Sequence, residues 1–279
     1  MLLLAIVVVH SQNKNEERKE RLRIASSKIK STTQIAYEYV WDQKTGSKKP
    51  STKGVKISTR VYDLKGNIVE EISYNQFGNV DSKTSYKYDG KGNNIELVVS
   101  NSDGSPIEES HYEFKRDTLS QLKTHRVKDN LTYSNFMWNV FEAENGNRVF
   151  HVFSYSSDDT TLVGSQRNVF DSKNNLITYY SYKGKYLNYK YVYLYNDKGR
   201  MIEIKFYNKQ EEFTGSQKFK YDLKENLIET QNCGAYNIPY ETTVYKNDPN
   251  GNVIEAIVYT DNDLKKPKAL YKFNYEYYK

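Results

Sequence analysis

Cysteine is nearly absent. Cys233 is the only one in the 279-residue chain, which excludes an internal disulfide framework and a zinc cluster built on thiolates. Histidine is also scarce. His10, His111, His125 and His151 are far apart and show no His-x-x-x-His spacing, so a metal centre has no sequence support. No Gly-rich phosphate loop precedes a helix, no Gly-x-Ser-x-Gly elbow occurs, and EF-hand spacing is missing. The expectation is a chain without enzymatic activity, cofactor or metal.

Long apolar runs are missing too. The longest, residues 1–9, falls short of the ~20 residues a spanning helix needs. Its position before a steep polar shift reads as a signal peptide over residues 1–12. Residues 13–32 read as a charged helical segment or spacer, rich in helix formers such as Glu16, Glu20 and Leu22. Export to the periplasm, the cell surface or the medium is therefore expected, and no membrane span. Basic residues show no concentrated stripe: 41 Lys+Arg are interleaved with 35 Asp+Glu. That argues against nucleic acid and for a solvated sheet face.

What the chain has is tyrosine, 27 of them, with a mean hydropathy of -0.84. Disordered chains are poor in aromatics, whereas a strand with one face half-buried uses tyrosine well. The tyrosines recur with a period. The segments Tyr62-Asp63-Leu64-Lys65-Gly66-Asn67, Tyr88-Asp89-Gly90-Lys91-Gly92-Asn93, Tyr195-Asn196-Asp197-Lys198-Gly199-Arg200, Tyr221-Asp222-Leu223-Lys224-Glu225-Asn226 and Tyr245 through Asn252 share one pattern. Looser copies centre on Phe114, Phe141 and Phe170. The anchors Tyr62, Tyr88, Phe114, Phe141, Phe170, Tyr195, Tyr221 and Tyr245 lie at intervals of 24 to 29 residues, the signature of a repeat array.

Each motif position has a physical task. Asp or Asn after the aromatic accepts backbone N–H groups just ahead and starts a turn. Gly-Asn tolerates positive φ and closes it. The apolar residues that follow restart period-2 alternation. One unit is thus a β-hairpin. The predicted fold is all-β: tandem hairpin repeats over residues 33–279 forming a long, curled antiparallel meander sheet, with a short N-terminal helix.

Tyr86-Lys87-Tyr88-Asp89 with Gly92-Asn93, then Asp103-Gly104, resembles the RHS or YD-repeat family; Phe206 through Tyr221 is similar, more loosely, to MORN-variant repeats. The first resemblance implies β-sheet spirals, secretion or surface display, and roles in toxin encapsulation, contact-dependent competition, adhesion or carbohydrate contact. The functional expectation is an exported binding or scaffold module facing a protein or carbohydrate partner. The alternatives are an accessory or immunity-like protein of a bacterial toxin system and a carbohydrate-active enzyme. The densest aromatic stretch supplies the candidate binding face: Tyr179, Tyr180, Tyr182, Tyr186, Tyr189, Tyr191 and Tyr193. Cross-strand packing of the same tyrosines is the competing reading.

Overall fold

A computed structural model describes residues 14–115, 118–127, 130–144, 146–155, 161–260 and 264–279. The expected signal peptide, residues 1–12, lies outside them. Helix α1 spans Lys14–Ser26. Strands follow at once, so residues 29–32 of the expected charged spacer are already sheet: β1 is Ile29–Asp42 and β2 Ser47–Pro50. Next come β3 (Val55–Tyr62), β4 (Ile68–Tyr74), β5 (Val80–Tyr88), β6 (Asn94–Asn101), β7 (Pro106–Lys115), β8 (Thr118–Arg126), β9 (Leu131–Glu144) and β10 (Asn147–Tyr155). The rest are β11 (Leu162–Phe170), β12 (Leu176–Lys183), β13 (Tyr186–Tyr195), β14 (Met201–Tyr207), β15 (Phe213–Tyr221), β16 (Leu227–Gly234), β17 (Pro239–Asn247), β18 (Val253–Tyr259) and β19 (Pro267–Tyr277). The fold is all-β and antiparallel, with one short helix.

The turns explain the strands. At Asp63 one carboxylate oxygen accepts the N–H groups of Lys65 and Asn67, and the other accepts the Asn67 amide. Gly66 sits at φ +77°, where a Cβ would be strained. This is a type I turn closed by a left-handed residue, a favoured hairpin loop. The same contacts recur at Asp89/Asn93, Asp222/Asn226 and Asp248/Asn252. Ladder registers shift just behind these turns, between Val61 and Tyr62 and between Lys87 and Tyr88, as a β-bulge requires.

Tyrosines use the bulges. The Tyr88 hydroxyl donates to the Ile68 carbonyl at 2.9 Å, Tyr195 to Leu176, Tyr221 to Met201 and Tyr275 to Val253, each at 2.8 Å. The Asn247 amide donates likewise to Leu227. Each acceptor is the first residue of a strand leaving a turn. The motif tyrosine of one hairpin therefore fastens the turn of the hairpin before it.

The expectation left the arrangement of the meander open. Every strand from β3 to β19 pairs with its sequence neighbour, and β1 pairs on one edge with β3 and on the other with β19. Ser31 stands opposite both Val61 and Glu276. The pairings close into a ring of eighteen strands, with β2 a side hairpin on the far end of β1. Closure removes the exposed edges that an open meander would present. A ring of this size has a backbone diameter of about 27 Å before strand tilt, from ~4.8 Å per strand, more than side chains fill. The accessible surface, 17097 Å², exceeds the ~12,400 Å² of a compact monomer of this mass, as a wall wetted on two sides requires.

Helix α1 lies across one mouth of the ring. The Arg21 guanidinium donates to Asn67 and to the Gly92 carbonyl, and Arg23 to the Asn252 side chain. Ile24 packs with Ile29, Tyr62, Ile68 and Tyr275. Along another side of the helix, Arg18, Lys19 and Leu22 share a cavity with Lys173, Asn175 and residues 197–199.

Candidate functional site: the inner wall of the ring

Residues paired across a ladder share a face, so the register sorts the side chains onto two surfaces. The face that carries Tyr62 and Tyr275 meets the helix crossing the mouth and is therefore the inner one. The outer surface has the row Lys87, Glu96, His111, Lys123 and the row Arg167, Tyr180, Lys190, Tyr207. Ion pairs run along it, Lys87–Glu96 and Lys220–Glu229 at 2.6 Å each.

The inner surface is aromatic and amidic. On one side Arg60 pairs with Glu71 at 2.9 Å beside Tyr86. Desolvation, reinforced by Glu71, pushes the Tyr86 hydroxyl up to about 12. On the other side, the row Tyr179, Tyr191, Phe206 crosses β12, β13 and β14. Ring centroids lie 4.9 Å apart for Tyr189 and Tyr191, 5.8 Å for Tyr179 and Tyr191, and 5.1 Å for Tyr191 and Phe206. The floor of this cluster is Leu176, Met201 and Ile204, all buried. Tyr189, Tyr191 and Phe206 stay half-buried. Burial raises the Tyr191 and Tyr193 hydroxyls above the ordinary phenol value, with the neighbouring phenols adding to the shift. Next along the wall stand Gln217, Asn232 and Glu241, joined by amide hydrogen bonds of 3.0 and 3.1 Å.

The structure does not bring the seven candidate tyrosines onto one surface. Tyr179, Tyr189, Tyr191 and Tyr193 line the inner wall, with Tyr179 and Tyr193 buried at its base. Tyr180 and Tyr182 stack on the outer wall with centroids 6.3 Å apart. Arg167 and Lys190 lie over Tyr180 at 5.2 and 5.5 Å. Tyr186 stands at the β12–β13 turn, 70% exposed. Neighbouring residues of a strand point to opposite faces, which separates Tyr179 from Tyr180.

Sequence reasoning missed the inner Gln217–Asn232–Glu241 row, because its members lie on three strands and share no motif. It also missed Arg21 and Arg23 as helix anchors. Among the described residues no group of three His, Cys, Asp or Glu side chains could hold a metal ion. His125 meets Thr132, His151 stacks on Phe153, and Cys233 is buried. No described helix is long and apolar enough to cross a membrane, which says nothing of the strands.

Comparison with known proteins gives no family. No protein-family model matches the sequence, and no curated protein matches it. Among solved structures, a porin-like protein from Bacteroides uniformis is 10% identical, with a TM-score of 0.41, covering 90% of this chain and 97% of that one. A porin-like protein from Bacteroides vulgatus is also 10% identical, with a TM-score of 0.36, covering 89% and 98%. At these values the strand pairings, and not the likeness, carry the fold.

Proposed function

We propose that this chain is an exported, water-borne binding barrel that takes an extended glycan along its tyrosine-lined inner wall. The half-buried row Tyr189, Tyr191, Phe206 on a buried apolar floor carries the reading. Aromatic rings of this kind offer flat apolar faces to sugar rings and a hydroxyl for a polar partner. The adjoining amides of Gln217 and Asn232 supply the hydrogen-bonding groups that orient a ligand in a mostly apolar site.

The outer surface supports a water-borne barrel. A barrel embedded in lipid presents an apolar band outward, and Lys or Arg at its midplane costs about 2–4 kcal/mol each. Here Lys87, Lys123, Lys190, Lys205, Lys218 and Lys220 share the outer face with Glu96, Glu203 and Glu229. The recurrence of Asp-x-x-Gly-Asn turns supports an RHS/YD-like hairpin repeat as the building unit. We place it in the envelope or outside the cell, by its N-terminal apolar run.

Titration of the purified chain against a glycan panel tests the function. One or more oligosaccharides should bind, and Tyr189→Ala/Tyr191→Ala should weaken binding at least tenfold while the thermal transition stays cooperative. Binding unchanged in that variant, or no binding across the panel, sinks the reading.

A further inference from the structure

The mouth opposite the helix holds a second, separate feature. A cavity of about 800 Å³ opens where the start of β11, the β12–β13 turn and the β14–β15 turn converge. Its apolar wall is Leu162, Val163, Leu187 and Tyr186. Val163 is 50% exposed and Tyr186 70%, so apolar surface is left uncovered there. Three lysines ring it, Lys183, Lys185 and Lys209, with no carboxylate among the lining residues. None of the three makes an ion pair among the described residues. Two described acids nearby are engaged elsewhere: Glu211 with Lys190 at 2.9 Å and Glu212 with the Asn208 amide at 2.9 Å. Lys185 lies 5.4 Å above the Tyr186 ring, which holds its charge at the rim.

We infer that this cavity binds a single-chain anionic amphiphile, its acyl chain on Leu162, Val163 and Leu187 and its acidic head among the three lysines. Cations without an ion pair among the described residues, beside an uncovered apolar wall, match both halves of such a ligand. The volume falls within the range of small-molecule sites. The site lies outside the Tyr189–Tyr191–Phe206 row, so it stands or falls apart from the glycan reading.

Dodecanoate, dodecyltrimethylammonium and 1-dodecanol serve as probes in calorimetric titration of the full chain, below their aggregation concentrations. Dodecanoate should bind, with the cationic probe at least tenfold weaker. Lys183→Gln/Lys185→Gln/Lys209→Gln should weaken dodecanoate tenfold or more. Val163→Asp should weaken dodecanoate and 1-dodecanol together. All four positions are at the mouth and partly exposed, so folding should persist, as the circular dichroism spectrum will show. Equal affinity for the two charged probes, or an unchanged affinity in the triple variant, overturns the inference. Co-sedimentation with phosphatidylglycerol vesicles, lost in the triple variant, would make a two-chain bilayer lipid the occupant and overturn the single-chain assignment. Dodecanoate binding without co-sedimentation would assign a free amphiphile.

Discussion

At the scale of the residue, the turn carboxylates and the motif tyrosines do most of the local work. Asp89, Asp103 and Asp222 each accept side-chain and backbone N–H or O–H groups, which holds their carboxyls below the ordinary value of 3.8. A depressed native value means the unfolded chain takes up protons first as pH falls. The stability these groups contribute is thus present above the ordinary value and lost as pH drops through the native one. The urea midpoint should accordingly decline below about pH 4. Asp89→Asn/Asp103→Asn/Asp222→Asn should flatten that decline; an equally steep acid limb in the variant would show that other groups govern it. For the tyrosines, Tyr221→Phe removes the donor to the Met201 carbonyl and keeps the ring. It should cost about 1 kcal/mol, the usual net worth of one such bond, read from chemical denaturation.

At the scale of the element, the helix is held by few but specific contacts. Its sequence carries little amphipathic pattern beyond Leu22, Ile24 and Ala25, so it draws its stability from docking and not from propensity. Gly66 marks the closest approach: a Cβ there would run into the Arg21 carbonyl oxygen, at a residue whose φ of +77° already disfavours a side chain. Gly66→Val should displace the helix. Hydrogen exchange should rise over residues 14–26 and at the Asp248–Asn252 turn, while β12–β15 keep their protection. Gly104→Val, at a φ of +89° with open space around it, should strain only its own turn, leaving the helix protected.

At the scale of the molecule, closure rests on β1 and β19. Removing residues 267–279 would leave β18 and one side of β1 as free edges, which are templates for intermolecular pairing. The truncated chain should associate with time, as size-exclusion chromatography will show, whereas removal of the β2 hairpin, residues 43–54, should leave the ring closed provided a short link joins β1 to β3. Small-angle scattering gives a further check. A hollow ring should have a radius of gyration above the ~19 Å of a compact domain of this length, and a compact value would contradict an open interior.

The sequence by itself determined the turns. Asp, Gly and Asn act on the few residues around them, so each turn carries its own instructions wherever it stands. Alternation along a strand separates Tyr179 from Tyr180 by the same local rule, but the bulges between Ser181 and Tyr182 and between Leu194 and Tyr195 shift the register; the face of a distant tyrosine cannot be counted out from one end. Only the tertiary structure decided that the meander becomes a ring. That contact joins Ile29 to Tyr277, at opposite ends of the chain, and depends on accumulated strand twist and stagger that no single hairpin specifies. The inner amide row and the lysine-ringed cavity also needed the strand pairings, since each gathers side chains from strands and turns that share no local motif.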